Sequence, residues 1–158
     1  MSKYVIDTSS LITPHRTFYA FDIAPGFWKK LESFISKEQV IILDRIRNEI
    51  INNKDELSQW IKKKKYFPSS DAINSYRLIV QWVENSKQYN LKAKRDFMAG
   101  ADGWVIAYAL EHDYTVVTQE SSNPNSKSRV KIPDVCNAFG VRNIDIYQML
   151  RELQVQLI

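Results

Sequence analysis

Three short apolar runs rich in β-branched residues, Tyr4-Val5-Ile6, Val40-Ile41-Ile42-Leu43 and Thr115-Val116-Val117, are separated by long stretches with helical spacing. Runs this short and this continuous, bounded by polar residues, read as strands buried on both faces. Strands of that kind alternating with helices build a parallel sheet with helices packed on it, so the expected class is α/β. The strands are predicted over Tyr4–Ile6, Gln39–Leu43 and Tyr114–Thr118. Helices are predicted over Pro25 to about Ser36, from Asp44 onward, over Asp55–Lys65, over Asp71 to about Tyr89, and over Ala101–Leu110.

Open sheets of this class bind ligands in the crevice outside the carboxyl ends of their strands. Four acids fall at such places. Asp7 stops the first strand at once and opens Asp7-Thr8-Ser9-Ser10, while Glu120 follows the third strand in Thr118-Gln119-Glu120. Glu49 sits beside Ile46 and Ile50 on the apolar side of its helix, and Asp102 opens the largely apolar Trp104–Leu110 helix. Three of them also have a structural use: Asp7 and Asp102 as turn or helix caps, and Glu49 as an edge residue reaching water. A carboxylate beside an apolar stripe is costly unless it pairs or binds a cation. Their common placement favours a shared site.

At 158 residues, with 44% hydrophobic and 25% charged residues, the chain has the size and balance of one globular domain. No apolar run reaches the roughly 20 residues of a spanning helix, and Met1-Ser2-Lys3 leads into a strand without a signal-peptide pattern, so no membrane association and a cytoplasmic location are expected. The single cysteine, Cys136, excludes an internal disulfide and a cysteine-rich zinc site. Lys and Arg number 22 against 18 for Asp and Glu, an excess that permits a nucleic-acid partner without requiring one. Lys62–Lys65 offsets a helix C-terminal dipole. Lys92, Lys94 and Arg95 precede Asp102 closely enough to hold phosphates beside it. The segment Leu11–Ala24 is aromatic and irregular, suited to covering the core or to stacking bases.

Other chemistries lack their residues. An aspartyl-nucleophile phosphatase needs a second acid where Ser9 stands, there is no Gly-x-Ser-x-Gly elbow or Gly-x-x-x-x-Gly-Lys loop, and His15 and His112 lack ligand spacing.

The order of strand-Asp7-Thr8-Ser9, helix-borne Glu49, Ala101-Asp102 opening a helix and Val117-Thr118-Gln119-Glu120 closing a strand resembles the PIN-domain nuclease superfamily. More narrowly, Tyr4–Ser10, Phe27-Trp28, Ala101–Ala107 and Lys131-Ile132-Pro133-Asp134-Val135-Cys136 resemble the DUF4411 group of PIN-like proteins. The resemblance spans nearly the whole chain. It implies a three-layer α/β/α sandwich with a central, mainly parallel sheet, here as one domain over 1–158 with a helical insertion or cap over about 53–98. It further implies a Mg2+- or Mn2+-dependent endoribonuclease, often the toxin of a toxin-antitoxin pair, with RNA as substrate, an antitoxin protein as partner and a homodimer as a recurrent assembly.

Carried over residue by residue, Asp7, Glu49 and Asp102 match the superfamily's three most consistent acids, and Glu120 matches a fourth that many members have as aspartate. These four are the expected metal-binding and catalytic residues. Thr8 and Ser9 are expected to bond Asp7 or a phosphate, with Lys92, Lys94 and Arg95 also contacting substrate, while Thr118 and Asp134 support the acids from behind; Asp134 also suits a helix N-cap. The alternative is a catalytically weak PIN-like module that binds RNA or protein. Carboxylates suit the implied chemistry because Mg2+ and Mn2+ prefer hard oxygen ligands, and a cation relieves the repulsion among crowded acids.

Overall fold

The computed structural model describes residues 2–158. Its centre is a four-stranded parallel sheet of β1 (Tyr4–Ile6), β2 (Val40–Ile41), β3 (Thr115–Val117) and β4 (Asn143–Ile144), in the spatial order β2-β1-β3-β4. Tyr4 pairs with Val40 on one side and Thr115 on the other, and Val117 pairs with both Ile6 and Ile144. The chain steps outward from β1 to β2 and later outward from β3 to β4, so the sheet's topological switch lies between β1 and β3. That is the place where an α/β sheet opens a crevice.

Nine α-helices flank the sheet among the described residues, giving an α/β sandwich. They are α1 (Ser9–Arg16), α2 (Pro25–Ser36), α3 (Asp44–Ile51), α4 (Glu56–Ile61), α5 (Ile73–Asn85), α6 (Leu91–Ala99), α7 (Asp102–His112), α8 (Ile132–Ala138) and α9 (Ile146–Glu152). α7 packs on β1, β3, α5 and α8, and every residue from Gly103 to Ala109 is buried. A helix enclosed on all sides is apolar all round, which is why this stretch is nearly free of polar residues. None of the helices is long and apolar enough to cross a membrane.

Several local elements differ from expectation. The segment after β1 begins with a regular helix, α1, whose buried residues Ser10, Leu11 and Pro14 share one face at three- and four-residue spacing. Pro14 has no N–H to give the Ser10 carbonyl, and the helix ends two residues later, at Arg16. The aromatics beyond it cover the core: Tyr19 stacks on Phe27 with centroids 4.7 Å apart and Phe21 lies tilted against Trp28 at 4.5 Å, while Phe18 is exposed. β2 is shorter than predicted because Leu43 leaves it to bridge Phe67. Asp44 is the first residue of α3, and its carboxylate accepts from the backbone N–H groups of Arg45 and Ser69. Between residues 85 and 101 lies a further helix, α6, capped by Asn90, whose Oδ1 accepts from Ala93 N at 2.8 Å.

Candidate functional site

Asp7 follows the last residue of β1 and Thr118 the last residue of β3, so the two side chains stand at the carboxyl ends of adjacent central strands. Asp7 is almost wholly buried, at 2% exposure. Its Oδ1 accepts from Ser10 N at 2.9 Å, its Oδ2 from the Thr118 hydroxyl at 2.6 Å, and the Ser9 hydroxyl reaches both oxygens at 2.9 Å. The cap use and the site use of Asp7 therefore coexist, since the Ser10 bond closes the first turn of α1. Burial pushes the Asp7 carboxyl above the usual carboxylate range, against the bonds from Thr118, Ser10 and Ser9, which favour its charged form.

Glu49, in the last turn of α3, bridges two other elements. Its Oε2 accepts from the Thr8 hydroxyl at 2.6 Å and its Oε1 from Ala101 N at 2.9 Å. Thr8 thus serves Glu49, whereas Ser9 serves Asp7. The Ala101 bond satisfies one of the free N–H groups at the start of α7, so the carboxylate of Glu49 takes the capping role that Asp102 was positioned to fill.

Asp102 is consequently spared that task. It is the one acid of the four whose carboxyl is affected by no hydrogen bond, only by burial and charge: burial first, then Glu120, Asp7 and Glu49, push it up to about 7, with Arg129 pulling the other way. Four acids are thus near enough to interact at one edge of the sheet. Among the described residues, no three His, Cys, Asp or Glu side chains stand grouped as a ready-made metal site. The donor chemistry still suits a hard cation, because Asp7, Glu49 and Asp102 offer carboxylate oxygens alone and Asp102 is uncommitted.

Residues 4–157 match the family described as a domain of unknown function, DUF4411. The chain belongs to the DUF4411 family. No curated protein matches it.

In this DUF4411 chain Glu120 is held differently from the other acids. Its Oε1 accepts from Ile132 N at 3.1 Å, at the start of α8, and its Oε2 lies 3.6 Å from the guanidinium of Arg129. Thr118 links it to Asp7, because the Thr118 hydroxyl that donates to Asp7 also accepts from Glu120 N at 3.1 Å. Ser9 makes the same kind of link, its Oγ accepting from Gln119 N at 3.0 Å. Asp134, in the first turn of α8, accepts from the Ser122 hydroxyl and from Asn123 N at 2.9 Å. It anchors the loop beyond Glu120 and does not reach the other acids by any of these bonds. Beneath the site, burial, with Asp7 and Glu120 adding to it, pushes the Cys136 thiol up to about 12, so this cysteine is an inert packing residue.

A cleft of about 480 Å3 opens beside Asp102, lined by Lys92, Asp96 and Phe97 of α6 and by Ser128, Arg129 and Val130 of the loop before α8. Of the three basic residues singled out ahead of Asp102, only Lys92 lines it. Lys94 donates to the Glu84 carbonyl at 2.9 Å, and Arg95 is exposed outside the cleft. Arg129 was not expected from the sequence. The available signal was its place in the Ser128-Arg129-Val130-Lys131 stretch leading directly into Ile132-Pro133-Asp134.

Proposed function

We propose that this DUF4411 chain is a divalent-metal-dependent endoribonuclease that hydrolyses RNA phosphodiester bonds. The observation carrying this reading is the placement of Asp7 at the carboxyl end of β1, Glu49 bonded to Thr8 and Ala101, and Asp102 opening α7 with Glu120 beyond β3, an arrangement in which burial and the other three acids push the Asp102 carboxyl up to about 7. Such crowding is unfavourable in a protein that has no use for it, and a cation relieves it. Asp102, Asp7 and Glu49 would hold Mg2+ or Mn2+, which supplies a water more easily deprotonated and compensates charge on the phosphate. Ser9, Ser10 and Thr118 orient Asp7 and favour its charged form against burial, and Thr8 orients Glu49. The resemblance to PIN-domain nucleases supports RNA as the substrate and a toxin of a toxin-antitoxin pair as the biological role, with an antitoxin and a second copy of the chain as partners.

Calorimetric titration of Mn2+ into the wild type and Asp7→Asn tests the metal; equal heats remove it. Loss of metal-dependent RNA cleavage in Asp7→Asn and Asp102→Asn supports the enzyme, while wild-type protein that leaves varied RNAs intact in Mn2+ sinks it. A second reading, a catalytically weak module that binds RNA or protein, is favoured by one observation: Asp7, Glu49 and Glu120 are already engaged by protein donors, and no ready-made cation group stands among the described residues. Intact RNA that remains bound would favour that module. Co-purification with a neighbour-encoded regulator would support the toxin role under either reading.

A further inference from the structure

The cleft beside Asp102 has a wall whose loop is fastened on both sides. Asp134 fixes Ser122 and Asn123, the Gln88 side chain donates to the carbonyls of Pro124 at 2.7 Å and Ser126 at 2.6 Å, and Asn90 N donates to the Lys127 carbonyl at 2.8 Å. On the other side, Val130 is buried and Ile132 N is tied to Glu120. Ser128 and Arg129 are therefore carried on a short span between two fastened points.

Arg129 has donors to spare. Its closest approach to Glu120 is 3.6 Å, an ion pair too long to use up a guanidinium N–H, and its side chain is 64% exposed where that of Glu120 is 11%. A guanidinium carries five N–H donors in a planar fork that matches phosphate oxygens. Across the cleft, Lys92 is already paired with Asp96 at 2.8 Å on the same helix. Arg129 is thus the cation left to meet an anion entering beside Asp102, and Glu120 is placed to hold it. The volume of about 480 Å3 falls in the range of pockets that enclose small ligands, enough for one nucleotide unit of a strand.

We propose that Arg129 grips a backbone phosphate of an RNA strand lying in this cleft, and that Glu120 is the positioning residue for Arg129 and not a metal ligand. The identity of the ligand rests on the ribonuclease reading; the assignment of the cleft rests on the anchored loop and the spare guanidinium. An arginine here offsets the repulsion between phosphate and the buried acids, and sets the strand in register with Asp102.

The test uses Asp102→Asn as host, since it does not cleave on the proposed reading, and a short fluorescent RNA strand followed by anisotropy without divalent metal. Adding Arg129→Ala should weaken binding about tenfold and flatten its salt dependence by about one phosphate contact, with Arg129→Lys recovering part. Equal affinity with and without the arginine, or no binding by the host and by wild type in Ca2+, overturns the assignment. Glu120→Gln in otherwise wild-type protein should still give a Mn2+ binding heat at the parent's stoichiometry, yet bind RNA more weakly. Loss of that heat would make Glu120 a metal ligand and overturn its positioning role. Failure of the enzyme reading shows separately, as absent Mn2+ heat or absent cleavage in the wild type, because the RNA measurement needs neither.

Discussion

Thr118 donates its hydroxyl hydrogen to Oδ2 of Asp7 over 2.6 Å, joining the ends of the two central strands across 111 positions of sequence. Thr118 Oγ1 in turn accepts the N–H of Glu120, so one buried hydroxyl couples Asp7 to the start of the loop that carries Arg129.

Thr118→Val removes that coupling while nearly keeping the shape. Asp7 Oδ2 is left with the Ser9 hydroxyl alone and the half-buried Glu120 N–H loses its acceptor, so stability should fall by about 1–3 kcal/mol in denaturant unfolding. Mn2+ affinity should fall about 10- to 100-fold by calorimetry, as for other residues that orient a metal ligand. Thr118→Ser should restore both. If Val is as stable and binds as tightly as the wild type, the hydroxyl has no part in the site.

Glu49 allows scaffold and chemistry to be separated. In Glu49→Gln the side-chain carbonyl can still accept from Ala101 N, and the amide can donate to the Thr8 oxygen, so unfolding free energy should stay within about 1 kcal/mol of wild type. Mn2+ uptake should nevertheless drop sharply, because the charge is gone. Glu49→Ala should lose both uptake and about 1–3 kcal/mol. A Gln variant with wild-type Mn2+ affinity would confine Glu49 to holding α1 and α7 together.

The raised Asp102 and Asp7 carboxyls set the pH dependence of the metal-free protein. Both bind protons more tightly folded than unfolded, so the folded state holds extra protons above the ordinary carboxylate range and stability falls as pH rises. For Asp102 the loss runs from the ordinary aspartate value near 3.8 to about 7 and should amount to a few kcal/mol in order of magnitude. Unfolding midpoints in chelator should therefore decline between about pH 4 and pH 7, with a shallower decline in Asp102→Asn. Saturating Mn2+ should oppose that decline, since the metal replaces the lost protons. A flat profile in the metal-free wild type would show that the acids are not crowded in solution.

The parts that could be read from the sequence are those whose cause is local. β1 and β3 declare themselves because strands buried on both faces are unbroken apolar runs, and the place of Asp7 follows from where Ile6 ends. β4 was missed because Asn143-Ile144 is two residues long and half-buried, so its pairing with Val116 and Val117 leaves no pattern. α1 was hidden by Pro14 and the aromatics after it, although its inward face has ordinary helical spacing. Within the site, the acids could be placed by the element each one follows or opens. Their partners could not: the Thr8 to Glu49 bond spans 41 positions, and Arg129 gains its meaning from a loop pinned by Gln88 and Asn90.

Gly103 shows how tightly the first turn of α7 is built. Alanine in place of a helical glycine ordinarily stabilises by about 0.5–1 kcal/mol. A Cβ here, however, would lie 3.0 Å from Tyr76 Cε2 and 3.1 Å from Phe97 Cε1. Tyr76 cannot yield cheaply, because its ring stacks on Trp104 with centroids 3.6 Å apart and planes within 6°, and Arg45 lies over Trp104 at 4.6 Å. Phe97 is buried at the side of the Asp102 cleft, so movement there disturbs the proposed RNA path. Crowding of this kind costs about 1–3 kcal/mol and should outweigh the backbone gain. Gly103→Ala should thus unfold at lower denaturant, and trimming the obstacle with Phe97→Leu should make the same alanine less harmful than in the wild type. The sign decides the matter: if Gly103→Ala raises stability in the wild-type background, Tyr76 and Phe97 have room to move, and the turn that carries Asp102 is looser than these contacts require.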